Sequence, residues 1–321
     1  MLGSLLALIS AVTFAITNAS VRRGVISGSA VQATTLSIPV GVPLFVLALA
    51  VGGGFGAFGE LPRASVIAFG ITGVTHFVIG RYANYRAIGA IGTNLAGPVT
   101  QFNLVVSLVF AILLLGETLT IPRLVGILLI FAGPAVVSRE GAKRARAAAA
   151  TAEFKPRMVE GYIFAALSAF FYGLTPVLLR YAGGGRGLDA ALAGGVISAS
   201  AASVVILLLL AAPGHWREIR GVTPEATKWF LFSGVMVYVS QIFYYMALAL
   251  APVTIVSPIM ALSNIFRIHA SRWLNPRHEI FGPQVIVATA VSFFGVIVLS
   301  ISVDMLPLPP EWAAWLNWHW P

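Results

Sequence analysis

Ten stretches of this chain are each long and apolar enough to cross a bilayer, and that leaves few folds open to it. A spanning helix needs about 20 mostly apolar residues, because the hydrocarbon core is about 30 Å thick and a helix rises about 1.5 Å per residue. The stretches run over 3–21, 31–52, 64–88, 94–116, 120–138, 159–180, 189–212, 226–250, 253–275 and 280–301. No water is available in hydrocarbon to satisfy backbone N–H and C=O groups, so each stretch is expected to be helical. Composition agrees: 58% of the 321 residues are hydrophobic and 10% are charged, against roughly a quarter charged in a soluble domain. The expected fold is an all-α integral membrane protein with ten transmembrane helices.

The breaks between stretches are short and carry Gly, Pro or charge, as in GGGFGAFGELPR at 52–63, TIPR at 120–123 and APGHWREIRG at 212–221. The first twenty residues lack the positive start of a signal peptide and have a counterpart at 161–180, so they read as a first span. That counterpart belongs to a repeat. GSLLALISAVTFAITNASVRR at 3–23 aligns with GYIFAALSAFFYGLTPVLLRY at 161–181, setting Ser10, Thr17 and Arg22 against Ser168, Thr175 and Arg180. GRYANYRAIGAIGTNLAGP at 80–98 aligns with SQIFYYMALALAPVTIVSP at 240–258, setting Tyr85 and Pro98 against Tyr245 and Pro258. GETLTIPRLVGILLIFAGPAVVS at 116–138 aligns with 278–300, setting Glu117 against Glu279. Each half therefore holds five helices. An odd number makes the second half enter the membrane with opposite orientation, the inverted repeat of secondary transporters. The expected organisation is a first five-helix repeat over 1–138, a basic linker over 139–158, a second repeat over 159–301 and a Trp-rich tail over 302–321. Six Lys or Arg and two Glu among the twenty linker residues suit a solvated segment.

The paired halves, the prolines opening the fourth and ninth helices (Pro98, Pro258) and the Leu115-Gly116-Glu117 run closing the fourth resemble the drug/metabolite transporter superfamily, EamA type. The resemblance covers nearly the whole chain. It implies ten helices around a central cavity and transport of small organic solutes. SRWLNPRHE at 271–279 departs from the pattern, replacing an apolar helix end and holding two extra residues relative to the first half.

Polar side chains inside spans are costly and by default face the bundle interior or water. On the third helix His76, Gly80 and Asn84 recur at i, i+4 and i+8, one stripe of an α-helix, with Arg81 and Tyr85 alongside. The fourth offers Asn94, Pro98 and Gln101, the eighth Tyr238, Gln241 and Tyr245 with Tyr244 beside them, and the ninth Ser257, Asn264 and Arg267. The first and sixth offer Ser10 and Thr17, and Ser168, Tyr172 and Thr175. The expected solute-binding set is His76, Asn84, Gln101, Tyr172, Gln241, Tyr245 and Asn264, with Arg81 and Arg267 as candidates for an electrostatic role. Pro98 and Pro258 sit about five residues into their helices and free a carbonyl one turn earlier, which suits gating. Plainer roles compete. Ser and Thr in spans bond to their own backbone, and buried amides bond between helices. Arg86 and Arg272 lie near helix ends and can snorkel to headgroups; Arg81 also lies near the expected end of its helix. Glu117 and Glu279 stand at helix junctions, where caps are expected.

Several functions are excluded by what the chain lacks. It has no cysteine, hence no disulfide, thiolate nucleophile or Cys-based metal site. His215, His278 and His319 fall outside the spans, so no cluster for a multi-pass enzyme, a metal or a cofactor is expected. No Asp or Glu falls in the middle of a span (Glu160 and Asp189 stand at the starts of theirs), leaving His76 as the mid-span group that titrates near neutral pH. The net charge of +9 sits in short loops, where Lys and Arg set topology, and does not indicate nucleic acid. The expectation is a transporter of a small organic solute, an amino acid, related metabolite or drug-like molecule. It would sit in the cell membrane (inner or plasma) as a monomer or homodimer among lipids. A non-transporting scaffold or receptor is the alternative, and it would not need the two-fold repeat.

Ten spans put both termini on one side and the linker on the other. Arg22, Arg23, Arg86, the six linker cations, Arg217, Arg220, Lys228, Arg272 and Arg277 fall on the linker side. Arg63, Arg123, Arg180 and Arg186 fall on the other. The positive-inside rule then places the linker in the cytoplasm and the termini outside, whereas the family resemblance implies termini inside. Trp312, Trp315, Trp318 and Trp320 of the tail are expected to anchor at the headgroups.

Overall fold

The computed structural model describes residues 1–91, 96, 99–129, 132 and 157–274, with isolated positions between 290 and 320. Asn94, Pro98, Glu279, Trp315, nearly all of the linker and most of the tenth stretch lie outside the described residues.

Among the described residues six helices are long and apolar enough to cross a membrane: Leu2–Ser27, Ala30–Gly52, Arg63–Ile91, Met158–Gly183, Leu188–Leu210 and Pro224–Leu250. They correspond to the first, second, third, sixth, seventh and eighth stretches. Asn103–Leu115 belongs to the fourth, and Val253–Ala261 with Ser263–Leu274 to the ninth. Local chemistry sets several boundaries. Ser29 and Gln32 form a reciprocal capping box at the start of Ala30–Ser37. Thr223 caps the eighth helix through Ala226 N–H, with Pro224 at the first helical position. Gly53 and Gly116 end their helices at φ +68° and +65°, a left-handed conformation open to glycine.

Three features depart from the expected pattern. The second helix divides between Ser37 and Gly41, around Pro39. The third runs on to Ile91 rather than 88 and carries a π-helical section, Gly73–Gly80, between two α-helical ones. Arg81 is therefore not near an end: it lies about 15 Å along the axis from Ile91, well inside the hydrocarbon depth. The break expected at 212–221 holds a helix, Pro213–Arg220, opened by its proline and closed by arginines in its last turn.

Helix packing relies on small residues, which let backbones approach where no hydrophobic force drives helices together. The first helix lies against the eighth: Gly3 meets Ala251, Gly24 and Gly28 meet Phe230, and the hydroxyls of Ser10 and Ser240 each donate to the other's carbonyl at 2.8 Å. The sixth lies against the third and fourth, with Gly173 on Val106. The seventh lies against the second and third, where Gly195 receives Phe45 and Gly194 receives Phe69. The ninth packs on the first and fourth, and the second on the eighth.

Polar ties gather at the two ends of the bundle. At one end Glu117 bonds to the start of the ninth helix, Arg180 donates to the carbonyls of Leu248 and Ala249, and Leu119–Thr120 pairs antiparallel with His319–Trp320 of the tail. Gly3 at the chain start lies at this end too. At the other end Arg86 pairs with Glu160, Ser29 and Gln32 bond to Glu218, and Thr35 bonds to His215. Trp312 and Trp318 of the tail are exposed.

Candidate solute-binding site

A cavity of about 60 Å³ lies where helices of both halves meet, walled by Phe14, His76, Asn103, Ser107, Tyr172, Pro176, Gln241, Tyr244, Ser257 and Asn264 among others. That volume holds about two waters at roughly 30 Å³ each. Ligand pockets usually measure about 300–1,000 Å³, so the helices here are drawn together around the site.

The third helix supplies the central group. His76 Nδ1 lies 3.0 Å from Thr175 Oγ1 of the sixth helix, and its ring sits 4.7 Å from that of Tyr172 and 4.9 Å from that of Phe77. Thr175 also donates to its own helix at Phe171 O, 2.8 Å away. The imidazole is carried on the π-helical section, a geometry often found where a helix bears a functional group. Gly80 ends that section and receives the Tyr172 ring.

Four of the seven expected residues, His76, Tyr172, Gln241 and Asn264, share the cavity wall. Gln101 adjoins it through a hydrogen bond with Asn264 that ties the fourth helix to the ninth. Asn84 and Tyr245 are buried elsewhere. Asn84 donates to Asn18 Oδ1 of the first helix at 3.2 Å, and Tyr245 lies in an aromatic cluster with Phe45 and Phe69. Asn84 leaves the His76 stripe because a π section holds more residues per turn, which rotates everything beyond Gly80 away from the α-helical register. Arg267 is half-buried in Ser263–Leu274. Pro258 sits inside Val253–Ala261, and the helix breaks at Leu262 one turn later.

Arg81 is 1% exposed. Its Nη1 donates to Ser37 Oγ at 3.4 Å, and its guanidinium lies 4.9 Å from the ring centroids of both Phe77 and Tyr238. No carboxylate among the described residues pairs with it, and its Nη2 has no hydrogen-bond partner there. Two cation–π contacts at about 2 kcal/mol each offset part of a desolvation cost of several kcal/mol.

Two expected roles change in detail. Arg86 does not merely snorkel: its Nε lies 2.6 Å from Glu160 Oε1, and Arg157 lies 3.1 Å from the same carboxylate. Glu117 does cap a helix, but one in the other half of the chain. Val253 N–H donates to Oε1 and Thr254 N–H to Oε2, both at 2.8 Å. Thr175, one of the polar candidates of the sixth helix, is the partner of His76; Phe14 and Asn103 line the wall without having carried a signal in the sequence.

These features define a multi-pass helical membrane protein with a small chamber lined by side chains of both halves. The family model of the EamA-like transporter family matches residues 1–139 and 159–301, and the chain belongs to that family. No curated protein matches it. A solved crystal structure of a protein 17% identical in sequence aligns over 92% of this chain and 96% of its own with a TM-score of 0.66, a likeness of fold.

Proposed function

We propose that this chain is a secondary transporter that moves a small organic solute across the cell membrane by alternating access. Its ten helices form two inverted repeats, 1–138 and 159–301, joined by the basic linker 139–158 and followed by the tail 302–321. The observation that carries the reading is the polar chamber walled by both halves, through His76, Asn103 and Ser107 of the first and Tyr172, Gln241 and Asn264 of the second. The packing supports the repeat. The first helix lies on the eighth and ninth, and the sixth on the third and fourth; the second lies on the seventh and eighth, and the seventh on the second and third. Exchanging the halves carries each of these pairs into another, and the pairing of the second with the seventh into itself, as a two-fold relation requires.

Binding uses His76, Gln101, Tyr172, Gln241 and Asn264, whose amides and rings suit an amphipathic solute such as an amino acid or related metabolite, or a drug-like molecule. Asn84 and Tyr245 hold the surrounding helices. Since 60 Å³ admits no such solute, the chamber must widen, and the breaks at Leu262 and around Pro39 are where helices can bend. The chain works as a monomer or homodimer, needs no cofactor and does no chemistry on its solute.

The test is uptake of a solute panel into proteoliposomes containing the purified chain. Uptake of at least one solute, lowered tenfold or more by His76→Ala and by Gln241→Ala, is expected. No uptake of any solute, or uptake that both variants leave unchanged, overturns the reading.

A further inference from the structure

We propose that Arg81 is the countercharge for a carboxylate on the solute, so that this chain handles small organic anions bearing one carboxylate, a proposal that rests on the transport reading above only for the movement of the bound anion. A guanidinium presents five N–H donors. Here Nη1 makes one bond, at 3.4 Å, to Ser37 Oγ, and Nη2 makes none among the described residues. The surroundings repeat the pattern. The hydroxyls of Tyr85 and Tyr238, residues 2% and 0% exposed, also lack a hydrogen bond of normal geometry there. Tyr238 lies against the guanidinium, and Tyr85 is one turn from Arg81 on the third helix. The result is a buried cation and two buried hydroxyl donors at one depth, with no acid among the described residues to receive them. The group that completes such a cluster is an anion.

The chemistry favours a carboxylate over a phosphate. One guanidinium balances one negative charge, and no second Lys or Arg belongs to the cluster among the described residues. The planar fork of Arg matches a planar carboxylate with two parallel bonds. The aromatic faces of Phe77 and Tyr238 hold the fork flat and fix its direction. The cluster also adjoins the chamber. Gln241, three residues beyond Tyr238 on the eighth helix, lines the cavity and has an unpaired Oε1 among the described residues. Tyr172 lines it too and lies over Gly80, next to Arg81. A solute whose carboxylate reaches Arg81 keeps its other end among His76, Gln241 and Asn264, where Gln241 Oε1 can accept from an N–H or O–H of that end.

The test is thermal stabilisation of the purified full chain in detergent at constant ionic strength. The probes are acetate, benzoate, phenylacetate, alanine and phenylalanine, each beside its primary amide, with inorganic phosphate and chloride. The expected result is stabilisation by at least one carboxylate, at concentrations tenfold or more below those its amide needs. Arg81→Gln should lose that difference while the unliganded melting temperature stays level or rises, because an unpaired buried charge has been removed. Arg81→Lys should keep part of it. If Arg81→Gln does not fold, Tyr238→Phe and Tyr85→Phe, which remove hydroxyls that make no hydrogen bond of normal geometry among the described residues, should still weaken carboxylate binding several-fold with stability little changed. Equal response of Arg81→Gln and the parent chain, no preference for any carboxylate over its amide, or stronger stabilisation by phosphate overturns the proposal. Uptake separates the two ideas: Arg81-dependent binding without flux sinks the transport reading alone, and flux of a solute indifferent to Arg81→Gln sinks this one alone.

Discussion

Glu117→Gln tests the contact that joins the two halves most directly. In the native chain the two carboxylate oxygens take the N–H groups of Val253 and Thr254, both at 2.8 Å. These are first-turn donors of the ninth helix with no partner inside it, in residues that are fully buried. A glutamine keeps one acceptor oxygen. Its NH₂ then faces an N–H, so one bond is lost and one buried donor is stranded. A hydrogen bond to a charged group contributes about 1.5–3 kcal/mol, and the charge at the helix N-terminus about 0.3–1 kcal/mol more. The sum puts the loss for Glu117→Gln at about 2–4 kcal/mol, with Glu117→Ala larger because both donors go unpaired. Thermal unfolding in detergent reads that loss. Because the native chain has no cysteine, Ser257→Cys gives a single thiol at the chamber wall, whose labelling by a membrane-impermeant maleimide reads opening at the Glu117 end. Faster labelling in the Glu117→Gln background is expected. A Glu117→Gln chain within about 0.5 kcal/mol of the parent and labelled no faster would refute the argument that this carboxylate holds the end shut.

Gly73→Ala should cost more than about 3 kcal/mol or abolish folding, because the added Cβ would sit 2.1 Å from the Ser198 carbonyl oxygen, backbone that cannot swing away; denaturant unfolding with a near-native midpoint counts against it. Uptake should persist with the proton gradient collapsed, since among the described residues no carboxylate lines the cavity; flux that stops in the parent and also stops in His76→Gln breaks this expectation. Alkaline phosphatase fused after Pro321 should be active, following the excess of Lys and Arg on the linker side; a fluorescent fusion that folds only in the cytoplasm, if bright, reverses the orientation.

The spans were legible in the sequence because hydrocarbon imposes one requirement on every residue in it: an apolar surface and a self-satisfied backbone. Length and hydropathy therefore located Met158–Gly183, Leu188–Leu210 and Pro224–Leu250 to within three residues, and the start of Leu2–Ser27, whose end lies six residues past the expected one. The polar residues worth inspecting were legible for the same reason, since His76, Gln101, Gln241 and Arg81 are each costly in lipid and all proved buried in the bundle. Which of them meet was not. His76 and Asn84 share a face only if the helix keeps 3.6 residues per turn, and the π section from Gly73 to Gly80 breaks that rule without any marker in composition. Glu117 read as a cap, yet its partners lie 136 and 137 residues away, and only the packing of the fourth helix beside the ninth brings them within reach. Arg81 read as a residue near a helix end. Its burial between Phe77 and Tyr238, with no acid beside it among the described residues, was set by where the second and eighth helices cross the third. Sequence decides what each helix can bury, because hydrophobicity is a property of single residues. The tertiary structure decides which buried groups face one another, because that depends on helix rotation and crossing, to which every contact in the bundle contributes.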